Sequence, residues 1–292
     1  MTMPSFSSDA QQWLYPFEYL LNNGKLSSPK GNCILEVENF SITMNPLWNV
    51  CKYKERKINV GYMLGEMCWY LRGDLNDDSI LYYSKFWNKV RNSEVPHYNS
   101  NYGHYAFTEQ QLLRCVNILQ VDKDSRQAVV IISKTEAVGK SDTPCTYAVS
   151  FRIRQNKLNM TVHMRSNDIW RGFCIDMFQF SIWQQILYWR LFHHYPDLSM
   201  GTYTHIADSF HVYENNFYNI ESLVSDGYNG WDESINNIPQ LTPWDVAFGF
   251  DKLLLIEEGL RLNGKTDLVI HEDCFSSFAA STLQSFTQNK QK

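Results

Sequence analysis

Apolar residues along the chain follow two rhythms, one near 3.6 residues and one of two. A helix is predicted over 11–21, followed by the turn SSPKGN and a strand over 33–44, CILEVENFSITM, with turn residues on both sides. In INVGYMLGEMCWYLRGD the apolar positions recur at helical spacing and stop at Gly73, so a helix is predicted with Glu66 inside it. Residues 128–132 are short, apolar and β-branched, as a buried strand is. CTYAVSFRIRQNKLNMTVHMR then alternates, with Tyr147, Val149, Phe151 and Ile153 on one face and Leu158, Met160, Val162 and Met164 on the partner. That pattern predicts a hairpin turning at QNK. The stretch 176–194 is apolar all round and predicts a long buried helix. A last helix is expected near 247–262, ending at NGK, and the tail QSFTQNKQK is expected to fray. The fold class expected is α+β, a mixed sheet against buried helices, in one domain over 1–292.

Composition narrows the classes. A chain of 292 residues with 44% hydrophobic and 20% charged residues can bury a large core and lies outside the disordered range. Its net charge of −5 argues against a protein that coats nucleic acid, so any bound anion must meet a local basic cluster. No apolar run reaches the length of a membrane span, and the opening MTMPSFSSDA lacks a charged-then-apolar leader pattern, so a cytoplasmic protein is expected. Seven cysteines without CxxC or other metal spacing read as reduced thiols, and no metal is expected.

Several residues could carry chemistry. Cys145 stands in DTPCTY, where a polar loop enters the hairpin, a place that suits a reactive thiolate better than an apolar core does. Arg165 and Ser166 lie at the far end of the same hairpin, and a guanidinium beside a hydroxyl is a good grip for a dianion. Arg126, in DSRQAVV, could add a second cationic contact. Asp176 precedes the long helix with Gln179 three residues on, which reads equally as a capping box. Asp168 could cap a local turn. Glu66, flanked by Leu64, Met67, Cys68 and Trp69, reads as a buried carboxylate of raised pKa or as a paired surface acid. His211 and Tyr213 share a face if their segment is extended, and two such rings suit a sugar hydroxyl.

In order and spacing these pieces resemble the thymidylate synthase superfamily. The resemblance is carried by GEMCWYLRGD, by Phe86 and Trp87, by NYG at 101–103, SRQ at 125–127 and PC at 144–145. RSND at 165–168, the turn over 172–176 and HVY at 211–213 complete it. It spans most of residues 28–217 and carries nothing beyond about Ser222, so 222–292 is expected to be a C-terminal extension of the same domain. It implies a thymidylate synthase-like fold, a large mixed sheet packed against buried helices, and a homodimer formed through the sheet. It also implies a pyrimidine nucleoside monophosphate as substrate and 5,10-methylenetetrahydrofolate as the folate cosubstrate, bringing a one-carbon unit to C5. By the same resemblance Cys145 is the nucleophile that adds to C6, and Glu66 organises water and proton transfers. Arg165 and Ser166 are phosphate ligands, with Arg126 reaching the phosphate of the partner subunit. His211 and Tyr213 meet the sugar hydroxyl, Tyr102 lines the substrate pocket, and Asp168 and Trp87 fall on folate-side positions. Gln127 stands where the family usually has a second arginine, and Lys30 in the SPKG turn is the candidate to replace that arginine at the phosphate.

Asp176 is the informative departure. Synthases that act on dUMP have asparagine there, whose amide accepts from N3–H and donates to O4 of uracil; an ionised aspartate only accepts. Cytosine offers an amino group at C4 and an N3 that can be protonated, so a carboxylate there selects cytosine. With the RSND spelling and Thr146 after the cysteine, this is similar to the deoxycytidylate hydroxymethylase branch. The activity implied is conversion of dCMP to 5-hydroxymethyl-dCMP through a covalent cysteine–C6 adduct. The other readings are a CMP hydroxymethylase of nucleoside-antibiotic type, a thymidylate synthase in which Asp176 is only a cap, and a catalytically silent RNA-binding relative.

Overall fold

A computed structural model describes residues 4–91, 97–235 and 237–291. Helix α1 (Asp9–Asn23) begins at Ser8, whose hydroxyl accepts from the Gln11 amide, and buries Trp13, Phe17 and Leu20. Short β1 (Lys25–Ser27) and long β2 (Ile34–Met44) follow, then α2 (Val60–Arg72). Asn59 caps the start of α2, and Gly73, at φ 62°, closes it in the left-handed region. Two single-turn helices, α3 (Ile80–Tyr83) and α4 (Trp87–Val90), precede α5 (Gln111–Val121) and β3 (Val129–Ile131).

The predicted hairpin is β4 (Thr146–Arg154) and β5 (Lys157–Met164). Its two turn residues, Gln155 and Asn156, both have positive φ (52° and 57°), the twist that a two-residue hairpin needs. Pairing is regular from Arg154–Lys157 to Ala148–His163 and then shifts, with Thr146 opposite Met164, so Tyr147 is the extra residue of a β-bulge. Next come the two-residue β6 (Asn167–Asp168), the buried α6 (Cys174–Phe192) and the fifteen-residue β7 (Ser199–Tyr213). The sheet runs β1-β2-β7-β5-β4-β3, with β6 also on β7. Pairings of β5 and β6 with β7 are parallel and the rest antiparallel, so the sheet is mixed as expected. Buried side chains of α1, α2, α5 and α6 join the inward residues of the sheet in one core.

Helix α5 and the short β1, α3, α4 and β6 go beyond what the sequence predicts, and so do three later elements. Strand β7 has no clear signal, because its buried positions Tyr203, His205 and Ala207 are polar or small and hide the alternation. Helix α7 (Phe217–Asp226) also lies beyond the expected elements. The tail does not fray: α8 (Phe250–Asn263) is followed by α9 (Phe275–Gln291), which packs on α2 and α8. Phe286 of α9 lies against the Cα of Gly61, where a Cβ would come within 2.4 Å of its ring. The fraying expectation rests on the polarity of the tail, and Phe286, whose ring packs on those of Tyr82 and Tyr83, overrides it.

One buried carboxylate ties this C-terminal pair to α2. Glu257 is fully buried and accepts from Arg72 of α2, from Tyr83 at 2.8 Å and from Arg261 at 3.0 Å. Removing it leaves Arg261 and Arg72 largely buried, with Asp77, 4.0 Å from Arg72, as the acid that remains among their described ion pairs. Glu257→Ala is therefore expected to lower unfolding free energy by about 3 kcal/mol in a urea titration, and a loss below about 1 kcal/mol would show the network to be incidental.

Candidate active site

The bulge decides what faces Cys145. Beyond it the Arg165 amide donates to the Cys145 carbonyl at 2.8 Å, which sets the two residues opposite each other. The guanidinium folds back over the loop before Cys145, donating from Nε to the Pro144 carbonyl (3.0 Å) and from Nη2 to the Thr143 carbonyl (2.8 Å). Nη2 also lies 3.5 Å from the Cys145 sulfur. Burial pushes the thiol up from its ordinary pKa, the Arg165 charge pulls it down, and Asp176 and Asp142 raise it again. The Tyr102 hydroxyl accepts from the Cys145 amide at 3.2 Å, while its ring is stacked with those of Tyr70 and Phe180.

Two more carboxylates converge from α2 and α6. Glu66 is 5% exposed, accepting from the Tyr62 hydroxyl at 2.7 Å and from the Gln179 amide at 3.1 Å. Its carboxyl is pushed up to about 8 by burial, against the pull of the Tyr62 hydrogen bond. Asp176 accepts on Oδ2 from the Asn167 amide at 2.7 Å, and burial pushes it up to about 7. Gly172 leaves room for that pair, since a Cβ there would stand 2.9 Å from Asn167 Nδ2 and 3.1 Å from Asp176 Oδ2.

These contacts decide among the capping alternatives. Asp176 lies inside the first turn of α6 and receives none of the described backbone hydrogen bonds, and Gln179 turns away to Glu66 and the Met63 carbonyl, so there is no capping box. Asp168 does cap, its Oδ1 accepting from the amides of Trp170 (2.8 Å) and Arg171 (3.1 Å). Its buried Oδ2 has no hydrogen-bond partner among the described residues. Glu66 is not a surface acid.

The remaining candidates fall into two groups. Beside Asp168, β6 pairs with β7 at His211, whose ring meets that of Tyr213 edge-on at 5.3 Å. Trp87 donates to the Tyr62 hydroxyl at 3.2 Å and so touches the Glu66 network. Half-buried Ser166 follows Arg165. Lys30, by contrast, is exposed in the turn after β1, near the Tyr213 end of β7 by way of the Ile34–Tyr213 pairing. Arg126 stands apart, exposed on a hollow of about 650 Å³ lined by the end of α5 and the loop after it, with none of the other candidates.

The thymidylate synthase family profile matches residues 36–234, more than half of the chain. The chain belongs to the thymidylate synthase family. Among curated proteins it is 28% identical over 232 residues to a deoxyuridylate hydroxymethyltransferase of Bacillus phage SP01, covering 73% of this chain and 59% of that enzyme. It is 30% identical over 200 residues to a deoxycytidylate 5-hydroxymethyltransferase of Enterobacteria phage T2, covering 59% of this chain and 78% of that enzyme. The corresponding enzyme of phage T4 matches at 30% over 183 residues, 56% of this chain and 71% of the enzyme. The family match passes Ser222, where the motif resemblance stops, and ends before α8 and α9 begin.

Sequence reasoning does not reach the residues that hold others in place. Tyr62 and Gln179 clamp Glu66, and Asn167 holds Asp176. The i,i+4 spacing of Tyr62 and Glu66 is the usable signal among them. Among the described residues no His, Cys, Asp and Glu group could hold a metal, and no helix is long and apolar enough to cross a membrane.

Two measurements check the electrostatics. Replacing Arg165 with methionine removes the cation beside the sulfur, so alkylation of Cys145 by iodoacetamide should slow by about tenfold near neutral pH and regain speed at higher pH; an unchanged profile would mean that the 3.5 Å approach is electrostatically idle. Folded Glu66 keeps its proton to about pH 8, against an ordinary value of 4.5. The stability it contributes is therefore present below the ordinary value and lost as pH rises through the folded one. Relative to Glu66→Gln, the wild type should lose stability across that window in chemical denaturation; a constant difference would place the carboxylate in a solvated site.

Proposed function

We propose that the protein is a pyrimidine-nucleotide C5 hydroxymethyltransferase that converts dCMP to 5-hydroxymethyl-dCMP with 5,10-methylenetetrahydrofolate. The observation that carries this is Asp176, a carboxylate fixed by Asn167 in the position where dUMP synthases have an amide. The relatives' activities, hydroxymethyl transfer to deoxycytidylate and deoxyuridylate, support the same chemistry.

In this reading Cys145 adds as a thiolate to C6 of the base, with Arg165 stabilising the anion before the bond forms. Arg165 and Ser166 take the phosphate, and the Nη1 of Arg165, which makes none of the described hydrogen bonds, is the group available for it. His211 and Tyr213 meet the sugar. Asp176 accepts from the cytosine amino group and favours the ring protonated at N3, which is the more electrophilic form at C6. Glu66 keeps its proton at neutral pH through burial, so it can serve as the acid at the base edge or hold the water that ends the reaction.

The buried Oδ2 of Asp168, which makes no hydrogen bond among the described residues and lies 3.9 Å from Arg171 Nε, suits a ring N–H of the folate, and Trp87 is the other folate-side candidate. The folate supplies the one-carbon unit when bound. Arg126, exposed and remote from Cys145 in its own chain, suits a contact made across a homodimer to the partner's phosphate. Lys30 is the candidate for the cationic grip that Gln127, an uncharged amide, does not supply. The outer face of β4, with exposed Tyr147 bonded to Asp208 at 3.0 Å, is the surface such a dimer would use. The cytoplasm, that of a host cell for a phage chain, is where such an enzyme would work.

Tritium release from C5-labelled nucleotides, followed with the absorbance of dihydrofolate, tests the proposal. Release from dCMP without dihydrofolate, and a 5-hydroxymethyl product, is the expected outcome. Formation of dihydrofolate with a 5-methyl product would make the protein a synthase instead.

A further inference from the structure

The base-reading edge of the site contains two oxygens without partners among the described residues. Asn167 is 3% exposed and spends its amide N–H on Asp176 Oδ2, while its own Oδ1 is buried with no hydrogen-bond partner among those residues. Asp176 Oδ1 makes none of the described hydrogen bonds either, and the residue is only half-buried. Oδ2 is committed to Asn167, so a proton taken up by Asp176 is directed to Oδ1.

We propose that Asn167 and Asp176 act together as a reader of both cytosine and uracil nucleotides, the proton on Asp176 deciding which base is met. The inference rests on the base-reading role of Asp176 proposed above. With Asp176 ionised, Oδ1 accepts from the cytosine amino group, and Asn167 Oδ1 accepts from a protonated N3. With Asp176 protonated, Oδ1–H donates to O4 of uracil, and the same Asn167 Oδ1 accepts from N3–H. A carboxylic acid so fixed presents the donor and acceptor pattern that an amide gives.

The surroundings allow both states near neutrality. Asp176 is pushed up to about 7 by burial, drawn down by the Asn167 hydrogen bond, and raised further by Asp168. The other groups that face it are Glu66, Tyr62 and Tyr70 from α2, Tyr102 from the helical turn after Asn101, Cys145 from the loop before β4, and Tyr203 from β7. Arg165, the cation on this side, is turned to the sulfur and to loop carbonyls. None of these neighbours gives Asp176 a direct ion pair that would hold it ionised.

The test is tritium release from C5-labelled dCMP and dUMP, from about pH 5.5 to 8.5, by the wild type, Asp176→Asn and Asn167→Ala. Asp176→Asn needs no proton to read uracil and reports the titration of every other group. Wild-type kcat/KM for dUMP, divided by that of Asp176→Asn, should fall about tenfold per pH unit above pH 7. Asn167→Ala should lower kcat/KM about tenfold for both nucleotides, with an unchanged melting profile as the check on folding. Label release from dCMP but none from dUMP at any pH overturns dual reading and leaves cytosine selection standing, as do parallel dUMP profiles for the wild type and Asp176→Asn. Loss of one base alone in Asn167→Ala overturns the shared acceptor. Absence of release from dCMP overturns both proposals.

Discussion

The bulge at Tyr147 is the constraint on which the site depends. Side chains on a strand alternate, so a one-residue change of register moves every later side chain to the other face. The two-residue turn at Gln155–Asn156 sets a register that, continued without interruption, would bring Ser166 opposite Cys145. The extra residue at Tyr147 brings Arg165 there instead. Its cost is small, because the Tyr147 carbonyl is not orphaned: it accepts from the amides of Ile132 (2.9 Å) and Ser133 (3.2 Å) on the neighbouring segment. A local irregularity of the sheet thus supplies the cation for the thiol.

The acids are placed by a different device. Glu66 and Asp176 come from two helices packed face to face, and each is held by an amide on a rigid element, Gln179 on α6 and Asn167 on β6. Burying two carboxyl groups so near each other is unfavourable when both are ionised, and the amide and hydroxyl donors offset only part of it. Both therefore retain protons more readily than ordinary carboxylates do. Helices α8 and α9, outside the family match, pack on α2 through Glu257 on Arg72 and Phe286 on Gly61.

Much of this is legible in the sequence because the signals are local. Periodicity locates α2 and the β4–β5 hairpin, since each presents an apolar face long enough to show its period, and an unbroken apolar run marks α6. Motif residues such as Cys145 and Arg165 emerge as a set from their order along the chain. Contacts between distant segments leave no such trace: Gln179 looks like a capping partner of Asp176 in sequence and meets Glu66, 113 positions away, in space. The bulge is equally hidden, because alternation reports a face and not a register. The helical form of the tail QSFTQNKQK escapes prediction since Phe286, its one large apolar residue, stands alone in a polar run and packs on Tyr82 and Tyr83, far earlier in the chain.

Arg165 serves two anions in the proposed reaction, and this bears on when the thiol becomes nucleophilic. Its Nη2 touches the Cys145 sulfur, while Nη1 is free for phosphate. A bound dianion draws on the same positive charge, so it raises the proton affinity of the sulfur and disfavours a free thiolate beside it. That rise makes the thiolate, once formed, the stronger nucleophile. Addition to C6 converts the sulfur into a neutral thioether and leaves the guanidinium charge to the phosphate. The covalent adduct is thus the state in which the competition for Arg165 is relieved, the 3.5 Å contact serving the thiolate only until the bond to C6 forms.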